Sequence, residues 1–228
     1  MLFRILSDGS LSVTQKLLFV FIIAFCVLFS LSIHEMSHGL AAYLMGDKTA
    51  KSSGRLSLNP FHHLDPIGAI CLFLFGFGWA KPVPVNPWNF KNKKAGMAIS
   101  ALAGPLSNFI VAFLAQLGAS LLGKMTFKSD TSFAFNVASV SYMLCMYLGS
   151  INIGLGLFNL IPIPPLDGSK VLNSLLPDKI YFGIMEYERF GFIILILIIN
   201  LPFFGNILNF LRDAVLNFYN VLITAMGL

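Results

Sequence analysis

The stretch LLFVFIIAFCVLFSLSIHEMSHGLAAYLM, residues 17–45, decides the fold of this chain. Its first 17 residues, Leu17–Ile33, carry no charge, and the apolar pattern resumes after His38 and continues to Met45. A helix that crosses a bilayer needs about 20 predominantly apolar residues. The stretch therefore predicts a membrane-spanning helix that carries two histidines and a glutamate in or near the hydrocarbon layer.

The composition of the whole chain agrees with a membrane protein. The 228 residues are 57% hydrophobic and 11% charged, whereas about 25% of the residues of a typical soluble domain are charged. So few charges cannot cover a water-facing surface, and so many apolar residues exclude a disordered chain. The cysteines Cys26, Cys71 and Cys145 are scattered in apolar stretches and form neither a disulfide framework nor a paired metal motif.

Other uncharged stretches, at residues 95–123, 131–166 and 190–211, contain the remaining predicted spans, with the second helix at about 133–160 and a last apolar piece at 213–228. Residues 66–80 are also uncharged, but this run is short and contains Gly76 and Gly78, so a half-span or re-entrant segment suits it better. Residues Gly54–Leu58 and Lys81–Val85 alternate enough to form short strands near residues 34–38. The expected fold is an all-α polytopic membrane protein with about five to six hydrophobic helices, a short half-span included, and short β segments near residues 34–38.

The basic residues predict the orientation. Residues 47–94 contain Asp47 and Asp65 as their only acidic residues and seven basic ones: Lys48, Lys51, Arg55, Lys81, Lys91, Lys93 and Lys94. The positive-inside tendency places this segment in the cytoplasm and the N-terminus outside, although Arg4 and Lys16 argue mildly for the opposite. We attribute the net charge of +5 to basic loops that set the orientation in the membrane. We therefore expect no nucleic-acid partner. The expected location is the cell membrane, with the two histidines and the glutamate of residues 34–38 toward the cytoplasmic side.

The sharpest motif is His34-Glu35-Met36-Ser37-His38, an HExxH sequence. On a helix, residues four apart share one face, so both imidazoles can bind one metal ion. Glu35 then lies where its carboxylate can take a proton from a metal-bound water. Ionisable groups at membrane depth are costly and usually functional. In the alternative interpretation the helix ends at Ser32 and these residues are interfacial, but the apolar residues after His38 argue against it.

Asp167 is the candidate third ligand, because a catalytic zinc takes three protein ligands and a water. It lies in NLIPIPPLDG, residues 159–168, where three prolines cannot continue a helix. Non-helical backbone at membrane depth is tolerated only where it is buried in protein or lines a wet cavity. The first helix and the span of residues 133–160 also end on the same side of the membrane. Alternatively, Asp167 merely caps a short helix that begins near Gly168.

The motifs HEMSHG (34–39) and NLIPIPPLDG (159–168) together resemble the site-2 protease family of intramembrane zinc metalloproteases. The resemblance covers nearly the whole chain. The stretches SGRLSLNPFHHLDPIG, GWAKPVPVNPWNF and AGPLSN, at residues 53–68, 78–90 and 103–108, are similar to a compact prokaryotic subgroup without PDZ or CBS domains. We therefore expect residues 1–228 to form a single intramembrane metalloprotease domain.

The resemblance also implies roles for individual residues. One zinc ion per chain would be bound by His34, His38 and Asp167, with Glu35 as the catalytic base. Asn159 occupies the place of the family's asparagine that holds the substrate backbone or the oxyanion, although it could instead cap the end of a helix. Asn108 could line the active-site cavity and contact substrate, or it could hydrogen-bond between helices.

The function expected from these residues is that of an intramembrane zinc metalloendopeptidase. Such an enzyme hydrolyses peptide bonds in or near transmembrane segments of membrane-protein substrates, within the lipid bilayer, by a zinc-bound water that Glu35 activates. A non-catalytic membrane scaffold or transport-type protein with a vestigial metal site is one alternative, yet neither Glu35 nor a ligand is lost. A membrane zinc enzyme with another substrate, such as a lipid amide, is the second alternative. The sequence does not indicate the oligomeric state.

Cysteine labelling of sealed vesicles tests the orientation. Residues 47–94 and 168–179 should react from the cytoplasmic side and residues 124–130 from the outside, because the basic cluster is expected to stay in the cytoplasm. The opposite labelling pattern would invert the topology and still leave both halves of the metal site on one side of the membrane.

Overall fold

The computed structural model describes residues 7, 9–68, 80–126, 133–177, 180, 191 and 193–228. The predicted half-span at 66–80 falls largely outside this part, since 69–79 are not described. Helices dominate: α1 is Val13–Leu44, α2 is Lys93–Thr126, α3 is Phe133–Asn159, α4 is Asp167–Ser174 and α5 is Pro202–Ala225. Shorter pieces are a helical turn at Thr49–Ser52, 3-10 turns at Pro60–His62 and Pro87–Asn89, and a helix at Ile193–Ile199.

Among the described residues, α1, α2 and α3 are each long and apolar enough to cross a membrane. The helix at Ile193–Ile199 and α5 meet at a bend of 79° and would make a fourth crossing if they count as one span. Many large apolar side chains on these helices are more than half exposed, for example Leu17, Phe21, Ile110, Leu114, Phe210 and Phe218. So large an apolar surface marks a lipid-facing protein. The expected all-α polytopic membrane fold is confirmed.

The bundle packs around α2, which lies against α1, α3 and α4. Its buried alanines, at Ala101, Ala112, Ala115 and Ala119, leave room for close approach. Small residues at such contacts let membrane helices pack by dispersion forces, since lipid offers no hydrophobic drive between helices. The helix α5 joins through Tyr219, which packs near Ala112 and Ile153 and donates its hydroxyl to the carbonyl of Phe109 at 2.9 Å.

The predicted short strands are wrong. Residues Gly54–Leu58 and Lys81–Val85 are irregular, and the only β pairing in the described part of the chain is one antiparallel bridge between Leu64 and Ala80. Prolines in the second segment remove backbone donors that a ladder would need. The remaining donor between them, the N–H of Val83, is used by a side chain of α1.

The charged residues between the apolar stretches 190–211 and 213–228 do not interrupt a helix. The helix α5 runs through Arg212 and Asp213, whose exposed side chains pair with each other at 3.2 Å. The chain breaks instead just before Pro202. Proline is well suited to the first turn of a helix but cannot continue one, because it lacks the N–H and clashes with the preceding turn.

A buried aspartate fastens the segment before α2 to the end of α1. Asp47 is fully buried and accepts four hydrogen bonds of 2.5–3.1 Å, from the N–H and hydroxyl of Thr49, the N–H of Asn86 and the side-chain amide of Asn89. Burial would raise its pKa, but these hydrogen bonds outweigh the desolvation and hold the pKa of Asp47 below its usual value. We call this arrangement the Asp47 clamp.

Replacing Asp47 by asparagine should destabilise the protein, because the amide turns a donor toward the donors of the clamp. Hydrogen bonds to a charged group contribute about 1.5–3 kcal/mol each, so we expect a loss of about 2–4 kcal/mol in the free energy of unfolding. The pKa is lowered, so this stabilisation is complete above the ordinary pKa of 3.8 and disappears as the pH falls toward the lower pKa of the folded state. Thermal unfolding of both proteins in the same micelles checks this; a gap in melting temperature that stays constant below pH 4 would contradict it.

Candidate metal centre

Three buried side chains from distant parts of the sequence meet at one point. His34 and His38 lie one turn apart on α1, and Asp167 is the first residue of α4. The Nε2 atoms of the two histidines are 2.9 Å apart, and each lies 3.1 Å from Oδ2 of Asp167. All three residues are buried. The structure thus brings together the three ligands that the sequence predicted.

This donor set fits zinc. Zinc takes imidazole nitrogens and carboxylate oxygens at about 2.0–2.2 Å in a tetrahedron, which separates its ligand atoms by about 3.3–3.5 Å. The three atoms are 2.9–3.1 Å apart, so they need to move only slightly outward around one ion. Two nitrogens and a carboxylate oxygen that converge in this way make a site for a cation.

The outer nitrogens of both imidazoles are held by α2. The Nδ1 atom of His34 lies 2.6 Å from Oδ1 of Asn108, and the Nδ1 atom of His38 lies 2.7 Å from the carbonyl oxygen of Ser100. Both partners accept hydrogen bonds, so each Nδ1 carries the proton and each Nε2 keeps its lone pair for a metal. Ser100 could not be predicted from the sequence, because every residue type has a backbone carbonyl.

Gly104 is a second residue of α2 that sequence reasoning missed. A Cβ atom at this position would lie 2.4 Å from Nε2 of His38 and 2.7 Å from Cε1 of His34, far inside contact distance. Only glycine lets α2 pack directly on the two imidazoles. A glycine inside a helical pattern is the signal that would have pointed to it.

Glu35, the predicted base, follows His34 on α1 and is half-buried. Its Oε2 accepts a hydrogen bond of 3.0 Å from the N–H of Val83. A hydrogen bond to an ionised carboxylate is among the stronger kinds, so it fixes the orientation of the carboxylate. The segment around Val83 therefore supports the site without forming the predicted strand.

Asp167 does not cap α4. The capping position is Leu166, and Asp167 is the first residue of the helix, where a negative charge interacts favourably with the helix dipole. Its second oxygen, Oδ1, lies 3.5 Å from Nζ of Lys170, one turn further along α4. One oxygen of the Asp167 carboxylate thus faces the two histidines, and the other faces the ammonium group of Lys170.

A cavity of about 270 Å³ opens beside these ligands. Its lining includes Glu35, Asn159 and Lys170 besides the three ligands. One N–H of the Asn159 amide donates to the carbonyl of Leu155 at 3.0 Å, and a primary amide has a second N–H and a carbonyl oxygen to offer. Asn159 is therefore both at the end of α3 and at the edge of the cavity.

Asn108 is not among the residues that line this cavity. It is fully buried behind His34, and besides that histidine it contacts Asn152 of α3 at 2.7 Å. These contacts match the interhelical role that the sequence left open. They give no support to a contact with substrate.

Comparison with known proteins agrees with this geometry. The model of "Peptidase family M50" matches residues 20–198. The chain is 36% identical over 197 residues to "Putative zinc metalloprotease YwhC" of Bacillus subtilis. The aligned region covers 85% of this chain and 88% of that protein. It is 28% identical over 182 residues to "Putative zinc metalloprotease Rip2" of Mycolicibacterium smegmatis, with coverage of 77% and 65%. No solved structure matches the chain.

Zinc content tests the ligand set. Asp167→Ala should lower the zinc bound by the purified protein markedly, since two histidines alone do not complete a catalytic zinc site. Asp213→Ala is the matched control, because this aspartate is exposed and paired with Arg212 on α5. Metal analysis that found one zinc per chain in both variants would exclude Asp167 as a ligand.

Proposed function

The chain belongs to peptidase family M50, and on this premise we propose that it cuts peptide bonds in or near the transmembrane segments of membrane-protein substrates. The coarser activity, that of a zinc metalloprotease, follows from the family. One observation carries the finer proposal: the cluster of His34, His38 and Asp167 lies buried among helices that are apolar enough to cross a membrane. A site in this position serves substrates that are themselves in the bilayer.

The residues around the cavity divide the chemistry between them. When bound, zinc supplies Lewis acidity toward the scissile carbonyl and the attacking water. Glu35 has its Oε2 held by the N–H of Val83, so its other oxygen can take a proton from the water and then give it to the leaving amine. The amide of Asn159, at the cavity edge, can donate to the oxygen on which negative charge develops.

The substrate must present an extended peptide to these groups. In a helix, the peptide N–H and C=O groups are already hydrogen-bonded, and hydrocarbon offers no other partner for them. We therefore infer that a substrate helix unwinds locally before it is cut. The basic cluster of residues 47–94 supports a cell-membrane location with the site toward the cytoplasmic side.

Glu35→Gln separates catalysis from metal binding. The amide is nearly isosteric and can still accept the hydrogen bond from Val83, but it cannot take up a proton. We expect unchanged zinc content and expression, and cleavage that falls by about 10⁴-fold or more, because general-base activation of water is the central step. The assay compares both proteins on a panel of purified single-span substrates. Turnover within tenfold of the original protein would exclude Glu35 as the base.

Asn159→Ala tests the role of the cavity-edge amide. If the side chain acts on substrate, turnover should fall by about 10²-fold while zinc content and melting temperature stay unchanged. If the amide only caps the end of α3, the variant should lose about 1 kcal/mol of stability and keep its turnover per folded molecule. Zinc content, melting temperature and single-turnover cleavage, measured on one preparation, distinguish the two roles.

A further inference from the structure

Three fully buried polar side chains form a continuous series of hydrogen bonds behind His34. Asn108 belongs to α2, Asn152 to α3 and Ser30 to α1, and all three have no exposed surface. We call them the buried relay. A buried polar group without a hydrogen-bond partner is costly, so a set of three in a membrane bundle must be fully paired or strongly destabilising. None of them reaches the cavity.

The hydrogen bonds of the relay follow one another without a gap. The Nδ1 atom of His34 lies 2.6 Å from Oδ1 of Asn108, and Nδ2 of Asn108 lies 2.7 Å from Oδ1 of Asn152. Nδ2 of Asn152 lies 2.7 Å from Oγ of Ser30, whose hydroxyl points to the carbonyl of Cys26 at 2.6 Å. Nδ2 of Asn152 also donates to the carbonyl of Leu148 at 2.8 Å.

The far end of the relay fixes the direction of every bond. The carbonyl of Cys26 can only accept, so the hydroxyl of Ser30 donates to it and its oxygen accepts from Asn152. The carbonyl of Leu148 likewise requires the amide nitrogen of Asn152 on that side, which turns the oxygen of this residue toward Asn108.

The same logic continues to the histidine. The nitrogen of Asn108 must face Asn152, so its oxygen faces His34 and requires a proton on Nδ1 of the imidazole. The lone pair is thereby left on Nε2, which is the atom that faces His38 and Asp167. Two main-chain carbonyls thus determine the tautomer of His34. The carbonyl of Leu148 acts through Asn152 and Asn108, and the carbonyl of Cys26 acts through Ser30 and then the same two residues.

We propose that Asn152 and Ser30 are positioning residues for the metal centre, which hold His34 in the tautomer that binds zinc. Neither residue touches the metal or the substrate; each acts through Asn108. This inference rests on the proposed zinc peptidase and names two residues on which its metal affinity depends. Removal of the group that accepts directly from a metal-ligating histidine, here Asn108, typically alters metal affinity by about 10–100-fold, so residues that act through it belong at or below the lower end of that range.

The chain contains its own control for Ser30. Ser32 lies on the same helix, is equally buried, and donates its hydroxyl to the carbonyl of Leu28 at 2.7 Å, four residues back, as Ser30 does to Cys26. The difference is the hydrogen bond that Ser30 accepts from Asn152. Ser30→Ala and Ser32→Ala therefore remove the same group from the same kind of site, and only the first opens the relay.

The experiment measures the zinc affinity of the purified 228-residue chain in micelles by competition with a chromophoric chelator, per folded molecule. Ser30→Ala should weaken zinc binding by about 3–10-fold and Asn152→Leu by about 10-fold, while Ser32→Ala stays within about twofold. Equal affinities for the two serine variants would overturn the proposal. If Asn152→Leu does not fold, the serine pair still decides.

No substrate is present in this measurement, so its outcome is independent of the cleavage assay. Equal zinc affinities for Ser30→Ala and Ser32→Ala would refute the relay and leave the peptidase proposal intact. Cleavage that survives Glu35→Gln would refute the proposed mechanism and leave the zinc affinities unchanged. Melting temperatures of the zinc-free variants complete the test, because a purely structural role would lower stability in both serine variants alike.

Discussion

In hydrocarbon there is no water to hydrogen-bond a polar group, so each polar group must find its partner within the protein. This constraint determines the arrangement of the whole site. Each imidazole must place its outer nitrogen on a protein acceptor before its inner nitrogen can serve a metal. The helix α2 meets this need along a single face, because Ser100, Gly104 and Asn108 are spaced by four residues. The outer two accept from His38 and His34, and the glycine between them lets α2 pack directly on the two imidazoles.

The cluster of candidate metal ligands was predictable because it depends on the identity and spacing of side chains. HExxH spacing brings two imidazoles to one helix face, and a proline-rich stretch before Asp167 excludes a helix where a wet cavity is needed. The all-α membrane fold followed from long uncharged runs for the same reason. In each case the residue types and their spacing along the chain limit the possible structures before any packing is considered.

The rest depends on contacts that composition does not encode. The supports of His38 and Glu35 are a carbonyl of Ser100 and an N–H of Val83, which every residue type can offer. No strand forms around Val83, because the prolines on either side of it lack the N–H groups that a ladder needs. Toward the C-terminal end of the chain, Arg212 and Asp213 form an ion pair with each other on the surface of α5. The position of Pro202 determines where this helix begins.

The ligands and the base stand on different supports. The ligands are braced between helices, whereas Glu35 is steadied by an irregular segment that the Asp47 clamp ties to α1. In the proposed mechanism, metal loading and catalytic competence are therefore separate properties of one molecule. A preparation can carry a full complement of zinc and still contain inert copies whose carboxylate has lost its alignment. Specific activity should therefore be normalised to sites counted with a mechanism-based titrant, and not to metal content.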